Sequence, residues 1–168
     1  MKIYYAAAVR GAHLTDNSFL HKSIIEHLLN HHIVLTEHLA DGSIKDLGET
    51  GMPDKEIHDR DMQWVRDADV IIAEVSNPSL GVGYELGRAV ETGKKILCLF
   101  RPDDKPLSAM ISGSDKMIVR EYRTKEEALD VIDNFLKKIE ISEGKAHSIK
   151  QINKEVMHDL LTGKHEKK

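Results

Sequence analysis

Two acidic residues and a serine near the middle of the chain are the side chains best suited to chemistry. Ser79 and Glu85 lie in one glycine-containing segment, and Asp61 precedes it. A helix N-terminus binds anions because its first N–H groups lack partners and its dipole favours negative charge. The segment therefore predicts a carboxylate, Glu85, beside a phosphate cradle formed by Ser79 and the backbone around Gly81 and Gly83.

The elements around this segment would place it at one edge of a sheet. Asp69 to Val75 is an apolar run rich in β-branched residues, typical of a strand buried on both faces. The residues from Tyr84 to Thr92 predict a helix that Gly93 ends. Glu85 would then lie in the first helical turn, where the dipole favours an ionised carboxylate. Acidic residues without any catalytic role are also common there, so this alternative stays open.

Strand and helix patterns alternate along the rest of the chain. Further strands are predicted at 3–9, 33–36, 95–100 and 116–119, helices at 18–30, 54–67 and 124–139, and a short helical turn at 106–111. This alternation predicts a parallel sheet with helices on both faces, in which ligands bind beyond the C-terminal strand ends. That edge collects Arg10, residues 36–38, Ser79, Glu85 and the loop after Phe100.

Composition limits the partners of the protein. The net charge of -4 gives no electrostatic case for a nucleic-acid polymer or an anionic membrane. The apolar runs are far shorter than a membrane span and the start of the chain does not resemble a signal peptide, so we expect a cytoplasmic protein. Cys98, the only cysteine, lies in an apolar run and predicts a buried, unreactive thiol.

The chain has the length of one domain with a full hydrophobic core. We assign this domain to residues 1–140 and interpret 141–168 as a helical extension with a basic tail. Apolar residues recur in the extension at helical spacing, and Ser148 and Gln151 are candidate caps of its helix. We expect a peripheral helix that docks on the body or on a neighbouring molecule.

Other motifs do not match known sites. The glycines at 81, 83 and 87 are spaced one residue too widely for a dinucleotide fingerprint and follow the third strand instead of the first. His31-His32 and the segment 58–61 do not have a zinc-binding spacing, so we expect no metal and no cofactor. Ser79 lacks the sequence frame of a serine nucleophile and is more plausible as an anion donor.

The remaining candidates are a carboxyl pair, Asp61 and Glu85, with Tyr4 and Arg10 from the first strand and the loop after it. On spacing alone, Asp61 is better explained as a solvated helix residue. An arginine in a strand-to-helix loop suits bidentate binding of a phosphate, although Arg10 by itself is a weak signal.

Longer segments of the chain resemble one enzyme family. The matching segments are Ile3-Tyr4, Val9-Arg10-Gly11, 35–41, 58–64, 73–89, 96–102 and 107–111. They cover roughly residues 3–138, and the long central segment is highly specific. The chain resembles the 2'-deoxynucleoside 5'-phosphate N-hydrolases, which are relatives of the nucleoside 2-deoxyribosyltransferases.

The resemblance implies a doubly wound (Rossmann-like or flavodoxin-like) five-stranded parallel sheet, a homodimer and no cofactor. It implies hydrolysis of the N-glycosidic bond of deoxynucleoside 5'-monophosphates. Glu85 matches the nucleophile that forms a glycosyl-enzyme intermediate, Asp61 the acid that serves the departing base, and Tyr4 the tyrosine that orients the nucleophile. The matched substrate-binding positions are Ala7, Val9, Arg10, Gly11, His38, Ser79, Gly81, Ser108 and Met110, and Ser108 would reach the neighbouring subunit's site.

One position departs from the family pattern. The first loop of the family reads Gly-Ser-Ile-Arg-Gly, whereas Ala8 of this chain lacks the hydroxyl that would contact phosphate. A neutral hydrogen bond contributes about 1 kcal/mol, so we expect weaker phosphate binding. Three alternatives stay open: a nucleoside deoxyribosyltransferase, a ribonucleotide N-glycosidase, and a nucleotide-binding sensor without turnover.

Overall fold

A computed structural model describes residues 1–8, 17–40, 51–102 and 106–162. Its centre is a sheet of five parallel strands, in the order β2-β1-β3-β4-β5. The strands are β1 (Lys2–Ala6), β2 (Ile33–Val34), β3 (Val70–Glu74), β4 (Lys95–Phe100) and β5 (Met117–Glu121). The order reverses beside β1, as in doubly wound flavodoxin-like sheets, which confirms the predicted fold class.

Five α-helices and one 3₁₀ turn connect the strands. They are α1 (Asn17–Leu29), the 3₁₀ turn (Glu37–Ala40), α2 (Asp54–Asp67), α3 (Leu80–Glu91), α4 (Ala109–Ser112) and α5 (Lys125–Thr162). Helix α3 begins four residues before the predicted start at Tyr84, because the Ser79 hydroxyl caps it and accepts the Val82 N–H at 3.4 Å. Glu85 consequently lies in the second turn of the helix and not, as expected, in the first.

Successive residues of β1 point to opposite faces of the sheet. Tyr4 belongs to the hydrophobic core that α2 and α3 form over β1, β3 and β4. Tyr5 faces α1 instead, where its hydroxyl group lies 2.8 Å from Nδ1 of His21. Burial lowers the pKa of His21 to about 4, so the imidazole is neutral at physiological pH.

A buried carboxylate joins the C-terminal ends of three strands. Glu74, at the end of β3, is only 1 % exposed and accepts the Ser76 N–H at 3.1 Å and the Tyr122 hydroxyl at 3.0 Å. The Ser76 hydroxyl in turn accepts the Arg101 N–H, just beyond β4, at 2.7 Å. These bonds fix the strand edge from which the site is built.

The chain divides into two compact units, Met1–Val131 and Ile132–Lys168. Helix α5 continues through the second unit as far as Thr162, so the expectation of a separate helix capped by Ser148 and Gln151 is wrong. Helix α5 contains no proline, and its single glycine, Gly144, costs the helix only about 1 kcal/mol. The assignment of a domain boundary at residue 140 stays a prediction.

Cys98 is buried within β4, and burial raises the pKa of its thiol to about 12, as expected for an unreactive cysteine. Within the described ranges, none of the helices has both the length and the apolar character needed to cross a bilayer.

Gly93 provides a test of the turn that ends α3. Its φ of +68° lies in the left-handed region that disfavours residues with a Cβ atom. We expect Gly93→Ala to lower the free energy of unfolding by about 1 kcal/mol in urea denaturation. Gly144→Ala is the matched control, because among the described residues an added Cβ would meet no atom within 4 Å beyond its chain neighbours and its own helix backbone, and alanine should stabilise α5. Equal effects at both positions would contradict this account of the turn.

Candidate active site

A cavity of about 600 Å³ opens at the C-terminal edge of the sheet, where doubly wound folds bind ligands. Strand β1, the 3₁₀ turn, α2 and the start of α3 all contribute to its walls. It brings together seven residues that the sequence singled out: Tyr4, Ala7, His38, Asp61, Ser79, Gly81 and Glu85. Val9, Arg10 and Gly11 lie outside the described residues, so their predicted roles stay predictions.

Glu85 and Tyr4 form a hydrogen bond across this cavity, between α3 and β1. Burial raises the pKa of the Tyr4 hydroxyl far above its ordinary value, and the negative charges of Glu85 and Asp61 raise it further. Tyr4 therefore remains protonated and donates to the Glu85 carboxylate.

The pKa of Glu85 itself is raised to about 7. Burial is the largest cause, the nearby charge of Asp61 adds to it, and the bond from Tyr4 opposes it. Because Glu85 lies beyond the first turn of α3, the helix dipole does not hold it ionised as expected from the sequence. The carboxyl group is therefore partly protonated near neutral pH.

Asp61 lies on α2 beside a cation. Nε and Nη2 of Arg60 lie 2.9 and 2.8 Å from Oδ1 of Asp61, and each side chain is about 20 % exposed. An opposite charge in contact favours the ionised form of a carboxyl group. The two carboxyl groups of the site thus differ in what surrounds them: Asp61 has a guanidinium group in contact, whereas burial opposes the charge of Glu85.

An aromatic cluster extends this part of the site. The Arg60 guanidinium carbon lies 4.6 Å from the centre of the Trp64 ring, and that ring lies 5.6 Å from the ring of His38. His38 was anticipated from the family resemblance, whereas Arg60 and Trp64 were not. Their spacing of four residues on a helix was the available signal, because such residues are neighbours on one helix face.

The start of α3 forms the other end of the cavity. Ser79 occupies the N-cap position, and the first residues of the helix, Leu80, Gly81 and Val82, line this end of the cavity. Of the atoms in the described residues, a Cβ atom added at Gly81 would meet Ser79 Oγ, at 3.8 Å, which is an ordinary contact. The packing of these residues does not require glycine at this position, whereas close approach of a ligand to the backbone would.

Ser108 and Met110 lie elsewhere. They border a neighbouring apolar cavity of about 670 Å³ between α3 and α4, which shares Pro78, Ser79, Leu80 and Val82 with the first. Met110 is 84 % exposed and Leu80 is 96 % exposed. Within one chain, then, Ser108 does not join the carboxyl pair.

The described parts of the chain also contain no cluster of three or more ligands suited to a metal.

Comparison with known proteins assigns the chain to a family. Residues 3–129 match the nucleoside 2-deoxyribosyltransferase family, so the chain belongs to it. The resemblance found in the sequence, and with it the prediction of an enzyme, is therefore confirmed.

Several relatives are similar over most of their length. The chain is 45 % identical over 140 residues to a 5-hydroxymethyl-dUMP N-hydrolase of Tetraodon nigroviridis, covering 80 % of this chain and 96 % of the relative. It is 46 % identical over 137 residues to the protein of the same name in Danio rerio, covering 81 % and 93 %. A putative 2'-deoxynucleoside 5'-phosphate N-hydrolase 1 of Nematostella vectensis is 45 % identical over 140 residues, covering 80 % and 92 %.

A solved structure shares the fold. The CMP N-glycosidase BcmB of Clostridium botulinum superposes with a TM-score of 0.56 and 17 % identity, covering 79 % of this chain and 99 % of the other. At this identity the likeness supports the architecture of the sheet and helices alone.

The pKa of Glu85 should shift in opposite directions in two variants. Tyr4→Phe removes a bond to the ionised form and should raise the pKa of Glu85, whereas Asp61→Asn removes a neighbouring negative charge and should lower it. Carboxyl ¹³C resonances followed against pH measure both shifts. Tyr5→Phe, one residue along β1 on the other face, is the control and should leave the Glu85 titration unchanged. Shifts of the same sign in Tyr4→Phe and Asp61→Asn would contradict the described geometry.

Proposed function

We propose that this protein hydrolyses the N-glycosidic bond of deoxynucleoside 5'-monophosphates and releases free base and 2-deoxyribose 5-phosphate. The observation that carries the proposal is the pair of carboxyl groups, Glu85 with its bond from Tyr4 and Asp61 nearby, in one cavity at the ligand-binding edge of the sheet. The names of the relatives, N-hydrolases of deoxynucleotides, support the same reaction class.

The first step forms a bond between Glu85 and the sugar. A carboxylate oxygen of Glu85 attacks C1', the bond from C1' to the base nitrogen breaks, and its electron pair leaves with the base. The transition state has oxocarbenium character, so an anion beneath C1' and a proton donor at the base both lower the barrier. Tyr4 fixes the attacking carboxylate by its hydrogen bond.

A single proton serves both carboxyl groups in this step. In the free enzyme below about pH 7 that proton resides on Glu85, while Arg60 favours the charged form of Asp61. Transfer of the proton from Glu85 to Asp61 creates an ionised nucleophile and an acid together. Asp61 then gives the proton to the departing base.

The second step returns the enzyme to its starting state. A water molecule attacks C1', the bond to the Glu85 oxygen breaks, and Asp61 accepts the proton that the water loses and passes it back to Glu85. The products are 2-deoxyribose 5-phosphate and the free base, and no cofactor takes part. The 5'-phosphate would bind at the start of α3, near Ser79 and the Gly81 backbone, where its binding energy aligns the sugar.

The substrate alternatives separate by simple assays. Release of free sugar phosphate without an added base favours hydrolysis over deoxyribosyl transfer. Comparison of dCMP and dGMP with CMP and GMP separates a deoxyribonucleotide enzyme from a ribonucleotide N-glycosidase. A sensor would bind a monophosphate without releasing any base.

Glu85→Gln tests the nucleophile. We expect turnover of deoxynucleoside monophosphates to fall by several orders of magnitude, because the amide cannot form the glycosyl-enzyme bond. Release of free base, measured by chromatography over a panel of monophosphates, is the readout. Near-normal release would remove the assigned role of Glu85.

The same variant shows whether lost turnover reflects lost folding. The pKa of Glu85 lies above its ordinary value, so its ionisation opposes folding as pH rises from about 4.5 to about 7. Glu85→Gln should therefore exceed the wild type in stability by more at pH 8 than at pH 4.5. Thermal unfolding of both proteins at each pH measures this difference. An inactive variant that is also more stable cannot owe its inactivity to unfolding.

We also propose that the enzyme is a homodimer in which Ser108 of each chain completes the phosphate site of its neighbour. Two observations support this assembly: large apolar side chains, Leu80 and Met110, are exposed beside the cavity between α3 and α4, and Ser108 borders that same cavity. Removing such side chains from water favours association.

Met110→Asp tests the dimer. The charge should prevent burial of this surface and shift the mass measured by sedimentation from dimer to monomer, with loss of activity. Ile33→Asp is the matched control, because Ile33 is 60 % exposed on β2, at the edge of the sheet far in strand order from α4. A wild-type protein that sediments as a monomer with full activity would refute the shared site.

A further inference from the structure

Arg60 forms an ion pair with its immediate neighbour in the chain. Its Nε and Nη2 atoms both approach Oδ1 of Asp61, at 2.9 and 2.8 Å. Successive residues of a helix point in different directions, so spacing alone does not produce such a pair. A further contact of the Arg60 side chain can therefore help to hold it toward Asp61.

Trp64 supplies that contact. It lies one helical turn after Arg60 on the same face of α2, and the guanidinium carbon lies 4.6 Å from the centre of its ring. A planar guanidinium group is attracted to an aromatic face and keeps its edge available for hydrogen bonds. The ring of His38, from the 3₁₀ turn, lies 5.6 Å from Trp64, so residues of two elements hold the tryptophan in place.

Among the described residues, titratable and charged groups from each bordering element line the cavity that holds Asp61. They include Tyr4 from β1, His38 from the 3₁₀ turn, Glu85 from α3, and Arg60 from α2 itself. Tyr4 remains a neutral donor, and Glu85 adds negative charge. Arg60 lies in contact with Asp61 and opposes this negative charge.

We propose that Arg60, held by Trp64, is a positioning residue that fixes the orientation and the charge of Asp61 and thereby places the shared proton on Glu85 in the free enzyme. The catalytic meaning of this inference rests on the proposed function, whereas the placement of the proton does not. The raised pKa of Glu85, to which burial and then the charge of Asp61 contribute, agrees with it. Arg60 thus keeps Asp61 ionised in the free enzyme, before the substrate binds.

Carboxyl ¹³C titrations of the full-length protein test the placement directly. In the wild type, the Glu85 resonance should titrate near pH 7, and the Asp61 resonance should titrate at lower pH because its charge is one cause of the raised pKa of Glu85. In Arg60→Gln, the Asp61 midpoint should move to higher pH, and part of the Glu85 change should appear at this lower step, because the pair now shares its proton. Asp61→Asn and Glu85→Gln assign the two resonances.

Arg60→Lys separates charge from orientation. The ammonium group keeps the positive charge, so the Asp61 midpoint should stay near that of the wild type. It lacks the planar two-nitrogen edge, so kcat should still fall by about tenfold, the effect of losing one strong hydrogen bond. The acid limb of kcat/KM should move to higher pH in Arg60→Gln and return in Arg60→Lys.

Arg66→Gln is the control for loss of positive charge. Arg66 lies on the same helix but is exposed and bonds to Gln63, so neither resonance should shift. An Asp61 midpoint unchanged in Arg60→Gln would overturn the inference even if the enzyme hydrolyses nucleotides. A shifted midpoint in a protein that releases no base would support the placement and refute the proposed function instead.

Discussion

The site depends on one costly arrangement: two carboxyl groups share a partly buried cavity and repel each other. Burial alone would push both toward their neutral forms. The protein resolves the conflict by giving them different partners, a tyrosine hydroxyl for Glu85 and an arginine for Asp61. A hydroxyl moderates the cost of a charge without removing it, whereas a guanidinium group in contact largely compensates it. The resulting asymmetry lets chemically similar groups act as nucleophile and acid.

The sheet makes this asymmetry rigid. Tyr4 is anchored in β1 between β2 and β3, and Glu85 follows β3 on α3, so a short path through paired strands connects them. The bonds around Glu74 tie the same edge to the residues that follow β4 and β5. Buried polar groups are restrictive in this way because each lost bond leaves a desolvated group without compensation. The fold therefore orders these side chains, and substrate binding does not have to do so.

Much of the fold was predictable from the sequence. Helix 54–67 and strand 95–100 were predicted to the residue, because their apolar patterns end sharply at polar or turn-forming neighbours. The start of α3 was missed because serine, proline and glycine near residue 80 suggested a loop, although Ser79 acts as a helix cap. The helix predicted at 124–139 ends too early for a similar reason, because serine and glycine near residue 143 suggested a break in α5. The raised pKa of Glu85 was out of reach, since it arises from residues distant in the sequence. The four-residue spacing of Arg60 and Trp64 could have indicated their contact, but not that the Arg60 side chain turns toward Asp61.

The alternation of Tyr4 and Tyr5 has a further consequence. Two adjacent tyrosines send their hydroxyl groups to opposite faces, one to the carboxyl pair and one to His21. A slip of β1 by one residue would put one tyrosine in the place of the other and an apolar residue, Ile3 or Ala6, in the vacated position, so either Glu85 or His21 would lose its hydroxyl partner. The packing of β1 against α1 and the contact between Tyr4 and Glu85 therefore oppose a change of register in this strand together.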